Sequence, residues 1–350
     1  MSNSHERDSE KVLMSEKITI VEIAKLANVS TATVSRIINN TGKVNSEKKK
    51  KVLELIEKYN YKPNMIAKAL QSSKSSTVGF VVPHINSPFY AQIFYETELI
   101  AREEGYTLIL CNSDSDKQHE SSILNTLIST NVRAIVFMGG RLDDMESAKK
   151  YMRELEAIHE EIPVIAGVNV PGLECIQIFQ EQEDSTKKLL EHLSGMGYRD
   201  VALLGGYFNI RTTEKRREEI LENADNYGIK IRREIIDSDY SVEGGNIAMQ
   251  EMLKCDKLPQ AIICINDLVA IGVLSEANKN NLKVPGDIAI VGYDNLDISK
   301  FVYPGITTIA SNYKAYARAI VDTIKNIEHT DLSARIAIPT ELIIRGTTRV

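Results

Sequence analysis

At 350 residues, 43% hydrophobic and 26% charged, the chain exceeds one ordinary core and has a soluble globular composition, which predicts two or three domains. No apolar run is long enough to cross a bilayer, and Met1–Glu16 is polar and charged, unlike a signal peptide or anchor. The expected setting is therefore the cytoplasm, with no membrane partner, which argues against an exported solute-binding protein. The net charge of −6 hides a basic segment of +8 over residues 17–76, set between a −2 tail and a −12 remainder. A phosphate-binding head on a body that repels DNA has this division of charge.

Residues 1–16 show no apolar period and read as a disordered tail. Thr19–Tyr59 then reads as three short helices. Thr19 and Glu22 form a capping box ahead of the stripe Ile20, Ile23, Ala24 and Ala27. Asn28 stands where a left-handed residue would end that helix. Ser30 caps a second helix whose inner face is Val34, Ile37 and Ile38. Gly42 interrupts the chain, and a third helix begins at Asn45 or Ser46 with the face Val52, Leu55, Ile56 and Tyr59. A further short helix, 64–71, follows Pro63, and the serine-rich run 72–76 is a linker.

Beyond it, strand-like runs alternate with helical stretches. They are Val78–Val82, Tyr106–Cys111, Ala134–Met138, Pro163–Ala166, Val201–Leu204, Ala261–Ile265 and Ile288–Val291. Short buried runs separated by helices predict parallel α/β sheets, and the length predicts two lobes with a ligand between them at the strand ends. The four cysteines form no C-x-x-C pair, and Cys111, Cys175 and Cys264 sit in apolar runs, so reduced thiols are expected, buried at those positions. No dinucleotide fingerprint, phosphate loop, zinc-protease or nucleophile-elbow motif occurs, so neither an enzyme nor a cofactor or metal site is expected. Gly139-Gly140, Gly205-Gly206 and Gly244-Gly245 read as turn glycines.

The first two helices have helix-turn-helix spacing. The second would lie in the major groove with Thr31, Ala32 and Ser35 toward the base edges, and Arg36 suited to a guanine or a phosphate. The run Thr19–Asn39, with Lys51–Glu57 and Tyr61–Leu70, resembles the head of the LacI/GalR family of transcriptional regulators. The similarity continues more sparsely to the end of the chain. It implies an all-α helix-turn-helix head over 17–63, a hinge and linker over 64–76, and an α/β periplasmic-binding-protein-like body of two parallel-sheet lobes over 77–350. The implied N-lobe is about 77–178 with 309–338, and the C-lobe about 179–308 with 339–350.

The resemblance also implies site residues. DNA contacts would come from Thr19, Ser30, Thr31, Ala32, Thr33, Ser35, Arg36 and Asn39, with Asn64, Ala67 and Leu70 in the hinge. A leucine matching Leu70 wedges into the minor groove; physically, an apolar wedge unstacks a base step and bends the duplex. The implied effector cleft draws on Phe89 or Tyr90 for stacking, on Asp114 in a second loop, and on Arg216, Tyr240, Asn266 and Asp294. Arginine and carboxylate at fixed geometry suit a polyhydroxyl ligand.

The chain departs from the family pattern at Val168, Glu181-Gln182-Glu183, Glu219-Ile220 and Ser311. It also resembles catabolite control proteins at Phe137–Gly140, although the helix Tyr316–Asn326 carries Asp322 and Asn326 where a protein-docking surface is usually basic. The expected function is a repressor that binds a pseudopalindromic operator as a homodimer and answers to a small effector, a sugar or sugar derivative. The alternative is a body controlled by a partner protein.

Overall fold

The structure, a computed structural model, describes residues 18–38, 45–61, 75–146, 148–232 and 236–348. Asn39, Asn64, Ala67 and Leu70 lie outside them. Two compact units divide at Lys74 and Ser75.

The head holds α1 (Ile20–Ala27), α2 (Thr31–Ile38) and α3 (Ser46–Lys58). Its turns have the predicted chemistry. The Thr19 main-chain N–H donates to Glu22 Oε2 at 2.7 Å, and the Glu22 N–H donates back to Thr19 Oγ1 at 3.4 Å. Asn28 takes the left-handed conformation, φ 55°, and its N–H closes α1 on the Ala24 and Lys25 carbonyls. Ile23, Ala24, Ala27, Val34, Ile37 and Val52 form the core. Tyr59, expected on the inner face of α3, is instead exposed. The helix ends at Lys58, so Tyr59 leaves the apolar row, and Tyr61 packs against the core in its place.

In the body, one sheet comprises β1 (Thr77–Val82), β2 (Thr107–Asn112), β3 (Ala134–Phe137), β4 (Val164–Ala166), β5 (Ile176–Glu181) and β11 (Arg335–Pro339). Its order is β11-β5-β4-β3-β1-β2, all parallel. The second sheet comprises β6 (Asp200–Leu204), β7 (Lys230–Ile231), β8 (Ala261–Cys264), β9 (Ala289–Asp294), β10 (Thr307–Ala310) and β12 (Glu341–Ile343). Its order is β12-β10-β9-β8-β6-β7, parallel except for the antiparallel edge β12. Side chains alternate across each sheet, so each has two cores. Phe80 and Val82 pack on one face of β1, and Val81 packs on the other.

Helices cover both faces. On the first sheet these are α4 (Pro88–Glu103), α5 (Lys117–Ser129), α6 (Ala148–Glu161) and α12 (Tyr313–Lys325). On the second they are α7 (Glu183–Gly195), α8 (Arg211–Ala224), α9 (Val242–Met252), α10 (Asp267–Lys279) and the short α11 (Asp297–Phe301). The helix expected from Tyr316 starts at Tyr313 because Asn312 caps it, accepting from the Ala315 N–H at 3.1 Å.

The chain passes between lobes three times, after β5, after β10 and after β11. The lobe limits therefore move from those expected. The first lobe runs through Glu181, and β10, from Thr307, belongs to the second. Gln180 donates to Ser311 Oγ at 2.7 Å, and the Thr340 hydroxyl donates to the Glu181 carbonyl at 2.9 Å, so the three crossings are tied together. Gly244 and Gly245 are not turn residues; both are buried inside α9. A Cβ on Gly245 would lie 2.2 Å from the Val269 carbonyl oxygen, so the glycine permits α9 and α10 to touch backbone to backbone.

Candidate DNA-reading head and effector cleft

On the head, Thr31, Ala32 and Arg36 are exposed at and beyond the start of α2, whereas Thr33 and Ser35 are half-buried. Ser30 and Thr33 serve the cap. Their hydroxyls lie 2.9 Å apart, and Ser30 Oγ accepts from the Thr33 N–H at 3.2 Å. Thr19 holds the opposite end of the motif through its capping box. What α2 offers to a duplex is therefore a small, flat N-terminal face with one cation beside it, a shape that fits close approach to base edges.

In the body, the strand ends of both sheets bring a polar cluster together. Arg216 on α8 donates through Nε to Gln182 Oε1 at 3.0 Å and through Nη1 to the Ile265 carbonyl. Its Nη2 lies 3.6 Å from Asp294 Oδ1, and the guanidinium covers the Tyr293 ring at 4.4 Å. Asp294 ends β9 with a φ of 97° and is 6% exposed. Burial raises its carboxyl above the ordinary range, and Arg216 opposes that rise. From the first lobe, Phe89 meets Tyr90 edge-on at 5.2 Å and Tyr313 at 5.9 Å. The Tyr313 hydroxyl donates to the Asp294 carbonyl at 3.0 Å, joining the lobes. Burial raises Tyr90 well above the usual phenol range, with Asp143, Tyr240 and Asp294 adding to the rise. Tyr240 shares a 2.8 Å hydrogen bond with Thr213 and meets Tyr207 edge-on at 6.0 Å.

Two family models match the chain. "Bacterial regulatory proteins, lacI family" covers residues 19–64, and "Periplasmic binding protein-like domain" covers 190–348. The HTH-type transcriptional repressor PurR of Glaesserella parasuis serovar 5 (strain SH0165) is 30% identical over 349 residues, spanning 95% of this chain and 98% of that protein. The chain belongs to the lacI family of bacterial regulatory proteins. Catabolite control protein A of Priestia megaterium is likewise 30% identical over 338 residues, spanning 95% of this chain and 99% of that protein. The fold matches the lac repressor dimer bound to operator and the anti-inducer ONPF, with TM-score 0.86 and 23% identity over 96% of this chain and 100% of that one.

Within this lacI-family body, the structure brings Phe89, Tyr90, Arg216, Tyr240 and Asp294 together, and two other expected residues, Asp114 and Asn266, have partners of their own. Asp114 is exposed and pairs with His84 at 3.2 Å, on a turn where its φ is 54°. Asn266 has both ends of its amide engaged. Its Oδ1 caps α10 by accepting from the Val269 N–H at 2.8 Å, and its Nδ2 donates to the Tyr240 carbonyl at 2.9 Å. It holds the aromatic loop in place. Asp267 beside it is fully buried, accepting from the Leu296 N–H and the Thr308 hydroxyl at 2.7 Å each.

Three residues were absent from the sequence-based set. Tyr207 and Phe208 are exposed on the Gly205-Gly206 turn, which Arg217 holds from inside by donating to both glycine carbonyls. Asp143 follows the Gly139-Gly140 turn and is 8% exposed. The aromatic pair after a double glycine was a legible signal; Asp143 carried none, because its burial depends on the opposite lobe. There, Asp144 pairs with Ile210 in an antiparallel bridge. The Arg211 N–H donates to the Asp143 carbonyl at 2.7 Å, and the Met145 N–H to the Asn209 carbonyl at 2.9 Å.

Burial pushes the Asp143 carboxyl up to about 6 and that of Asp267 up to about 7. An unfolded carboxyl titrates near ~4, so between these limits the folded body holds more protons than the unfolded chain. Stability from these groups is therefore highest at low pH and is lost as pH rises through the folded values. Asp143→Asn removes one such group. Its urea midpoint, compared with that of the native chain, is expected to improve from about pH 5 to about pH 8. A pH-independent difference would show that the Asp143 carboxyl titrates normally.

Proposed function

We propose that this chain is a transcriptional repressor that acts in the cytoplasm, binding a pseudopalindromic operator as a homodimer and taking its signal from a small polyhydroxyl effector in the body. One observation carries the reading. A capped helix-turn-helix head with Thr31, Ala32 and Arg36 exposed shares a chain with a two-lobed body whose Arg216–Asp294 pair lies among aromatic rings. The relatives named as repressors and the operator-bound lac repressor dimer support it. A two-fold dimer imposes a two-fold operator. The arginine–carboxylate pair offers directional charge-assisted bonds to hydroxyls, and the rings offer apolar sugar faces a surface. Effector binding that changes the angle between lobes would alter operator affinity, a coupling of about 1–3 kcal/mol.

The test is a genome-wide footprint of the purified protein with sedimentation of the same sample. Discrete two-fold sites and a dimer are expected. Binding to bulk DNA alone, or a monomer at working concentration, would refute the reading. Leu70→Ala extends the test to the hinge. Operator affinity is expected to fall far more than affinity for random DNA, because a wedge acts only where the duplex bends. Equal losses would remove the wedge role. Control by a partner protein is the second reading, favoured by the identity to catabolite control protein A. It predicts no calorimetric heat with any sugar and a cell-extract requirement for operator binding.

A further inference from the structure

We propose that Asp143 is an effector contact, a second carboxylate delivered to the cleft by a loop that clasps the opposite lobe. The assignment rests on the polyhydroxyl reading above and names a residue that this reading lacked.

The loop is anchored from within its own lobe. Arg141 is 1% exposed and donates through Nε to the fully buried Glu120 at 2.6 Å. It also donates to Glu154, to the Lys117 carbonyl at 2.6 Å and to Ser121 at 2.9 Å, and covers the Tyr151 ring at 4.4 Å. The turn before it favours glycine. Gly140 has a φ of 62°, and a Cβ there would lie 2.1 Å from Glu120 Oε1. With Arg141 fixed, residues 142–146 project toward the second lobe and pair with residues 209–211.

That pairing combines main-chain bonds with side-chain ones from Arg211 Nε to the Leu142 carbonyl and from Asn209 Nδ2 to Glu146, while the Asp143 carboxyl lies beside Tyr90. A Cβ on Gly139 would meet the Tyr90 hydroxyl at 2.9 Å and Asp143 Oδ2 at 3.2 Å, so the two groups converge on one spot. Thr212 of the second lobe and the Arg211 and Arg216 charges favour the ionised carboxylate, which burial disfavours. Asp143 Oδ1 is nonetheless buried without a hydrogen-bond partner. A buried acceptor left unsatisfied is costly, and a fold keeps one where something else supplies the donor. The cleft then presents two acceptor carboxylates, Asp143 and Asp294, from opposite lobes. The chemistry that satisfies both is a ligand with hydroxyl donors on two edges and an apolar face for the tyrosines. Such a ligand bridges the lobes, so binding and closure become one event.

The experiment titrates the full chain calorimetrically with D-glucose, D-galactose, D-ribose, D-xylose and cellobiose, alongside Asp143→Asn and Asp143→Ala. Amide exchange at Met145 and Arg211, whose N–H groups donate across the lobes, is followed in the free proteins. The expected result is a sugar that binds the native chain and loses at least about tenfold in affinity to Asp143→Ala, with a smaller loss for Asp143→Asn and unchanged exchange in both. Affinity within about twofold of native in Asp143→Ala would overturn the assignment and leave the sugar reading standing. Faster exchange in proportion to the lost affinity would overturn it in favour of a purely structural role. No heat from any probe with the native chain would overturn both the assignment and the sugar reading.

Discussion

Arg216→Ala is expected to abolish the effector response while leaving operator affinity in the absence of effector unchanged. Each of the guanidinium nitrogens in that side chain is committed to a different structural element: Gln182 ahead of α7, the Ile265 carbonyl after β8, and Asp294 at the end of β9. A ligand entering between the strands meets a donor array whose geometry is already set, and bidentate charge-assisted bonds to it account for about 100-fold in affinity or more. Removing the guanidinium also leaves Asp294 buried without its counter-charge, so Asp294→Ala should give the same phenotype by a separate route. The head has its own core and caps, so neither substitution touches its reading surface. The measurement is operator titration with and without effector. The ratio of the two affinities should fall to about one in both variants, against the 5- to 150-fold range of ordinary couplings. Lost operator binding in both variants without effector would mark the pair as structural.

The second large effect concerns stability. Arg141→Ala should destabilise the body by about 3–5 kcal/mol, because it strands Glu120 as an uncompensated charge. Both partners have fully buried side chains, so water cannot replace the lost cation. Measured against a typical total of about 5–15 kcal/mol, this is about a fifth or more of what holds a domain together. Urea unfolding should show the midpoint falling sharply. Glu120→Gln in the Arg141→Ala background should recover part of the loss, since a neutral amide needs no counter-charge. Strict additivity of the two single losses would show that the pair is not coupled.

How much of this was legible depends on how far apart in sequence the cooperating residues lie. The head was readable almost atom by atom. Thr19 with Glu22, Asn28, and Ser30 with Thr33 are local signals, four residues or fewer from their partners. Seven of the strands announced themselves as apolar runs, and six of those expected runs match observed strands within one or two residues. The seventh, expected at Ile288–Val291, runs on through Asp294 as β9. The interior strands β5 and β10 and the edge strands β7, β11 and β12 did not, because each mixes polar with apolar residues.

At the site, Arg216 and Asp294 came from resemblance, and their pairing only from the fold. Asn266 caps α10 and holds the Tyr240 carbonyl, and a lone asparagine in sequence does not show those partners. Asp114 carries the right chemistry on an exposed turn. Asp143 was invisible for the opposite reason. It becomes buried only when residues 142–146 meet 209–211, more than sixty positions away, and no local pattern encodes that meeting.

The three crossings between lobes have a consequence for anyone dissecting the protein. Neither half of the body is a continuous stretch of chain, because β11 and α12 complete the first lobe after the second has been almost fully laid down. No single cut liberates an intact half. A fragment ending before residue 335 would leave β5 an unprotected edge and deprive β10 of its outer neighbour β12, so both halves would fray at once. The body is accordingly expected to melt as one cooperative unit, and a shortened version meant to isolate one lobe should aggregate rather than fold.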